Sequence, residues 1–140
     1  MGVDQAMSLA PARLVAGIGF RRGTESSEIA ALIERALSEA GQAPHALQAI
    51  ATAADRACEP AIRAAAAAFG LAPVGVEAPA LAAVDGRVVT RSARIETLRG
   101  VGSLAEAAAL AAAGVGARLA LPRITSAGTT CALAVSASPS

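Results

Sequence analysis

Residues 13–41 read RLVAGIGFRRGTESSEIAALIERALSEAG, and this stretch decides the fold class. Its first part, Arg13–Ile18, is a short apolar run followed by glycine, which predicts a buried β-strand. Gly19–Gly23 is predicted to be a loop, and Thr24 to be the N-cap of a helix that ends at Gly41. The apolar residues of this helix recur at helical spacing and form one face: Ile29, Leu32, Ile33, Ala36, Leu37 and Ala40.

The alternation of strands and helices continues along the chain. Further strands are predicted at residues 47–52, 71–76, 119–121 (where Pro122 ends the strand) and 129–135, and further helical segments at residues 60–70, 79–84, 92–99 and 103–113. The predicted fold is therefore a single-domain α/β three-layer sandwich with a central, mostly parallel sheet of about five strands. Residues 12–136 are predicted to form this domain, and residues 1–11 a loose N-terminal leader.

The composition excludes several classes of function. The 140 residues carry a net charge of +1, with no Trp, no Tyr and two Phe, which argues against binding to nucleic acid or to a membrane surface. All twelve basic residues are Arg, so neither a Schiff-base lysine nor a P-loop lysine exists. His45 is the only histidine. Cys58 and Cys131 are far apart in the sequence, with no CxxC spacing, and both are predicted to be small buried hydrophobic residues. We expect a cytoplasmic protein without a metal or another cofactor.

The segment GIGFRRGT between the first strand and the first helix is the strongest candidate for a binding site. Glycines let backbone amides approach a ligand, a helix N-terminus favours anions, and arginines suit carboxylates or phosphates. The glycine spacing is one residue too long for the dinucleotide-binding fingerprint. The alternative is a tight turn with two solvated arginines. The candidate ligand-binding residues here are Gly17, Gly19, Arg21, Arg22, Gly23 and Thr24.

A second glycine loop, GVGSLAEA, also leads into a helix. Its candidate binding residues are Gly100, Gly102, Ser103 and Glu106, which form either a second anion cradle or an ordinary capping box. Glu59 either caps the helix that Pro60 begins or is a carboxylate of the pocket, and Arg123 lies where a strand ends. Both glycine loops are predicted to lie at the same edge of the sheet and to face one cleft.

The order of the motifs GIGFRRGT, DRACEP, GVGSLAEAAAL and LPR resembles the CobE family, which is similar to the C-terminal domain of CbiG cobalamin-biosynthesis proteins. The resemblance covers residues 13–135. The chain departs from the family pattern at four positions. Phe20 replaces the usual cysteine, Arg56 stands near a position where lysine is usual, Leu104 replaces valine, and Arg123 replaces the late lysine.

The resemblance implies a role in forming the corrin ring of vitamin B12. It implies a precorrin or corrinoid intermediate as the partner, bound by an accessory module, with other enzymes of the pathway as further partners. The alternative is a hydrolase that opens a precorrin lactone and releases acetaldehyde, as full-length CbiG proteins do. In that case Glu59 or Glu106 would activate water if its pKa were raised. Arg21, Arg22 and Arg123 suit the carboxylate side chains of a corrin precursor.

Overall fold

The computed structural model describes residues 13–137, and the predicted leader at residues 1–11 lies outside them. Five strands form one sheet: β1 (Leu14–Phe20), β2 (Leu47–Ala53), β3 (Pro73–Val76), β4 (Arg118–Thr125) and β5 (Thr129–Val135). Their order across the sheet is β3-β2-β1-β5-β4. β1, β2 and β3 are parallel, whereas β5 is antiparallel to both of its neighbours, β1 and β4. Four of the five strands therefore point in the same direction, as expected for a mostly parallel sheet.

Helices cover both faces of the sheet, which confirms the three-layer sandwich. The α-helices are α1 (Ser26–Glu39), α2 (Pro60–Ala67), α3 (Ala78–Ala83), α4 (Ala93–Arg99) and α5 (Leu104–Ala113). One core lies between the sheet and α1 with α2, and a second lies between the sheet and α5 with α3. No helix within residues 13–137 is both long and apolar enough to cross a membrane.

Strand β1 is longer than its apolar run predicts. It continues to Phe20, so Gly17 and Gly19 lie within the strand, and the prediction that Gly19 begins the loop is wrong. The side chains of Ile18 and Phe20 pack against α1, and the two glycines lie on the opposite face of the sheet, which carries α5. Gly17 is needed there because the backbone of α5 approaches the strand closely at that position.

Strand β4 is also longer than predicted, because Pro122 does not end it. The strand runs from Arg118 to Thr125 and, within residues 13–137, pairs with β5 alone, so it is an edge of the sheet that these residues form. Its register shifts between Leu121 and Ile124, and Pro122 lies in this irregular part. Proline lacks the N–H with which a residue of a central strand pairs with its neighbour. An irregular part of an edge strand does not require that hydrogen bond.

Candidate functional site

A cleft of about 610 Å³ opens at the sheet edge where β1 and β4 end. This is the edge at which open α/β sheets bind ligands. Four segments line it: the end of β1 with its following loop, the short helical turn at Ala54–Arg56, helix α4 with the start of α5, and the hairpin between β4 and β5. The lining residues that matter most below are Phe20, Arg21, Arg22, Arg56, Arg94, Ile95, Leu98, Leu104, Arg123 and Ser126.

The cleft is strongly cationic. Among the described residues, five arginines and no acidic residue line it. No carboxylate within residues 13–137 forms an ion pair with Arg21, Arg22, Arg94 or Arg123. The fifth, Arg56, is paired with Glu59, and its guanidinium lies 4.2 Å from the centroid of the Phe20 ring. Four guanidinium groups are therefore available for an anionic ligand.

An apolar surface lies beside these charges. Phe20, Ile95, Leu98 and Leu104 belong to the same lining; Phe20 and Leu104 are buried, so Leu98 and the half-buried Ile95 form most of its apolar surface. Leu98 is 64% exposed, although large aliphatic side chains are stabilised by burial. A ligand that combines an apolar body with several carboxylates matches both parts of the cleft.

The hairpin loop of the cleft is held by helix α1. The Glu28 carboxylate accepts hydrogen bonds from the Ser126 hydroxyl (2.5 Å) and from the Gly128 N–H (2.6 Å). These two bonds, with that of Ser126 the stronger cause, lower the pKa of Glu28. The Arg21 N–H and the Thr24 hydroxyl both donate to the Gly128 carbonyl, at 2.9 and 3.3 Å. The loop that carries Arg21 is thus joined to the hairpin.

Glu106 lies beneath the cleft, completely buried and outside its lining. One carboxylate oxygen accepts from the N–H groups of Val89 (2.8 Å) and Thr90 (3.0 Å), and the other from the Thr90 hydroxyl (2.7 Å) and the Arg123 N–H (2.9 Å). Burial raises the pKa of Glu106, but these four bonds outweigh it, so that the pKa is lowered overall. Glu106 is therefore held as a carboxylate, not as a general base with a raised pKa.

Of the twelve residues selected from the sequence, the structure brings four to the cleft: Gly19, Arg21, Arg22 and Arg123. Eight lie outside its lining: Gly17, Gly23, Thr24, Glu59, Gly100, Gly102, Ser103 and Glu106. The two glycine loops do adjoin, since a Cβ atom placed on Gly19 would be 3.7 Å from the Leu104 side chain. The second loop contributes Leu104 to the cleft and no glycine.

The glycines of the second loop have internal partners. The Gly102 N–H donates to the Asp85 carboxylate at 2.8 Å, and Gly100 ends α4 in the left-handed region with a φ of 74°. The Gly102 hydrogen bond, followed by that of Arg91, lowers the pKa of Asp85. Ser103 caps α5 by accepting the Glu106 N–H at 3.3 Å, which confirms half of the predicted capping box. The Glu106 carboxylate does not close that box, because it binds Val89, Thr90 and Arg123.

Two local predictions are wrong, and one holds in part. The N-cap of α1 is Glu25, and Thr24 binds the Gly128 carbonyl instead of a helix amide. Glu59 is the N-cap residue of α2 as expected, but its side chain makes no capping bond and pairs with Arg56. Cys58 is exposed, whereas Cys131 is buried as expected, and burial raises the pKa of its thiol to about 12.

Several lining residues lie outside the set predicted from the sequence: Ser92, Arg94, Ile95 and Leu98 around α4, and residues 125–130 of the hairpin. The signal for the hairpin was Ser-Ala-Gly between two apolar runs, a composition typical of a tight turn. Nothing local distinguishes Arg94 from the other arginines, because its placement depends on how α4 lies across the sheet edge.

These features define an α/β domain with a cationic, partly apolar cleft at the carboxyl ends of its strands. Residues 14–134 match the protein family described as "Cobalamin synthesis G C-terminus". Protein CobE of Sinorhizobium sp. is 42% identical over 125 residues, which cover 89% of this chain and 81% of that protein. The chain therefore belongs to the cobalamin synthesis G C-terminus family and is a cobalamin biosynthesis protein of the CobE type.

Solved structures agree with this assignment. The crystal structure of CobE, a protein from the cobalamin biosynthetic pathway, matches with a TM-score of 0.83 and 33% identity, over 90% of this chain and 92% of that one. Cobalamin biosynthesis protein chiG from Agrobacterium tumefaciens matches with a TM-score of 0.70 and 34% identity, over 89% and 98%. A cobalamin biosynthesis protein G homologue from Sulfolobus solfataricus, at 20% identity and a TM-score of 0.67, shares the fold over 91% of this chain and 38% of its own.

Proposed function

We propose that this domain binds a precorrin or corrinoid intermediate of cobalamin biosynthesis in the cationic cleft, as an accessory module. The observation that carries the proposal is a set of four arginines that form no ion pair within residues 13–137 and lie beside an apolar surface. A corrin precursor has an apolar macrocycle with acetate and propionate side chains at its rim. Forked guanidinium donors match carboxylates in geometry and in charge.

The size and position of the cleft support the same proposal. Its volume of about 610 Å³ lies within the ordinary range of small-molecule sites, roughly 300–1,000 Å³. Leu98 and Ile95 would lie against the ring, and burying the exposed part of Leu98 would add to the affinity. The lactone hydrolase is not favoured, because Glu59 is paired with Arg56 and the pKa of Glu106 is lowered.

The experiment compares two double variants with equal changes of net charge. Arg21→Ala/Arg22→Ala removes two arginines of the cleft, and Arg63→Ala/Arg87→Ala removes two exposed arginines outside it. Each is titrated with cobyrinic acid, a coloured corrin with free carboxylate side chains, and binding is followed by absorbance. A charge-assisted hydrogen bond contributes roughly 1.5–3 kcal/mol, so losing one weakens binding about tenfold to a hundredfold. The control variant should bind within about twofold of the wild type.

The fully esterified form of cobyrinic acid tests whether binding depends on the carboxylate charges or on the shape of the macrocycle. It keeps the macrocycle but lacks the carboxylates, so the proposal expects it to bind much more weakly than the free acid. Unchanged affinity in a folded Arg21→Ala/Arg22→Ala variant would contradict the proposal. So would equal affinity of the wild type for the acid and the ester.

A further inference from the structure

Two walls of the cleft are both hydrogen-bonded to one buried carboxylate, that of Glu106. Val89 and Thr90 lead into α4, which carries Arg94, Ile95 and Leu98 along one wall. Strand β4 carries Arg123 in the other wall. Glu106, at the start of α5, accepts hydrogen bonds from both, and the Glu106 side chain has no exposed surface.

The bond to β4 depends on the irregularity of that strand. The register with β5 shifts between Leu121 and Ile124, so residues 122 and 123 lie outside the regular ladder. The Arg123 N–H donates to Glu106 at 2.9 Å instead. The backbone that carries the Arg123 side chain is therefore fixed from the α5 side of the sheet.

We propose that Glu106 is a positioning residue that sets the spacing between the wall bearing Arg94 and the wall bearing Arg123. The proposal rests on the proposed function, because it concerns how the arginines are presented to a ligand. Four groups of the described part of the chain form hydrogen bonds with the carboxylate, and all are donors: three N–H groups and one hydroxyl. An ionised carboxylate satisfies all of them, and an apolar side chain would satisfy none.

Glu106→Gln releases one wall selectively. If the amide oxygen keeps the N–H groups of Val89 and Thr90, the amide nitrogen faces the Thr90 hydroxyl, which can accept a hydrogen bond. The same nitrogen faces the Arg123 N–H, which cannot. The opposite orientation would set the nitrogen against two N–H groups, so it is disfavoured. The variant should therefore detach β4 at Arg123 and keep the α4 wall in place.

The binding test introduces Glu106→Gln into three backgrounds: the wild type, Arg123→Ala and Arg21→Ala. Cobyrinic acid is the probe. If Glu106 acts through Arg123, Glu106→Gln weakens binding about tenfold in the wild type and in Arg21→Ala. In Arg123→Ala it changes affinity by less than about twofold, because the side chain being positioned is already absent. Equal losses in all three backgrounds, or no loss in any, would overturn the proposal.

A second measurement does not depend on the ligand. Hydrogen exchange of the Arg123 amide should accelerate at least about tenfold in Glu106→Gln, while the Thr90 amide stays protected. Unchanged exchange at Arg123 would overturn the proposal whatever the binding data show. A wild type that fails to bind cobyrinic acid would refute the proposed function alone, and the exchange data would still decide whether Glu106 fixes Arg123.

A conservative variant covers the case in which Glu106→Gln does not fold. Glu106→Asp keeps the charge but shortens the side chain by one methylene, so it cannot reach both walls in their present positions. The aspartate must release one wall, so we expect a large loss in Arg21→Ala and little in the background that already lacks the arginine of the released wall, Arg123→Ala or Arg94→Ala. A uniform loss in the aspartate variant would refute the positioning role.

Discussion

Gly17→Ala tests whether the glycines of the first motif serve a ligand or the packing of the fold. A Cβ atom on Gly17 would lie 1.9 Å from the Ala105 carbonyl oxygen and 2.6 Å from the Ala109 nitrogen. Both are backbone atoms of α5, which is buried between the sheet and α3. The helix would have to move by on the order of 1 Å to restore ordinary contact distances in a close-packed interior.

The size of the effect follows from that movement. Inserting a methyl group into a packed core typically costs 1–3 kcal/mol, and a clash with helix backbone belongs at the upper end, about 3 kcal/mol. For a domain of this length, such a loss lowers the melting temperature by about 10 °C. Thermal unfolding followed by circular dichroism measures it directly.

Gly19→Ala is the matched control in the same strand. Its Cβ atom would lie 2.7 Å from the Thr130 hydroxyl oxygen, which can rotate away, and 3.7 Å from the Leu104 side chain. The expected cost is about 1 kcal/mol or less. If Gly17→Ala melts like the wild type but loses affinity for the corrin, the packing argument is refuted, and Gly17 serves the ligand.

Two further predictions concern ionisable groups. Because the folded pKa of Glu28 is lowered from a reference of 4.5, its contribution to stability is present above that reference and is lost as the pH falls through the folded value. Glu28→Gln should therefore flatten the acid limb of the stability curve measured by urea unfolding, whereas Glu34→Gln, exposed on the same helix, should leave it unchanged. At pH 8 a thiol reagent should modify exposed Cys58 rapidly and Cys131 only after unfolding, because burial raises the pKa of Cys131 to about 12. Rapid loss of both thiols in the native protein would show that the β5 strand opens readily.

The sequence predicts the layers of the fold because their signals are local. The helical spacing of Ile29, Leu32 and Ile33 places them in the core as expected. Strand lengths are less predictable, because they depend on neighbours far along the chain. Pro122 is compatible with β4 only because that strand is an edge, and edge position is a property of the whole sheet.

The candidate site is likewise predictable from the sequence only where its signals are local. Arg21 and Arg22 could be selected because they stand in a strand–loop–helix segment whose position at the sheet edge is predictable. Arg94 could not, because its place depends on how α4 crosses that edge. The GVGSLAEA motif was selected for its glycines, but its Glu106 carboxylate binds two other segments, and such partners have no signature in the local sequence.

The place of β5 in the sheet affects how the domain forms during translation. β5 lies between β1 and β4, and it pairs with β1 from Leu14 opposite Val135 to Phe20 opposite Thr129. A nascent chain therefore holds β1 with one edge unpaired until more than a hundred later residues have been synthesised. Loop closure over that distance makes folding slow, and an exposed apolar strand can pair with other chains in the meantime. The cleft comes into existence last, because its arginine loop and its hairpin come from opposite ends of the translated domain.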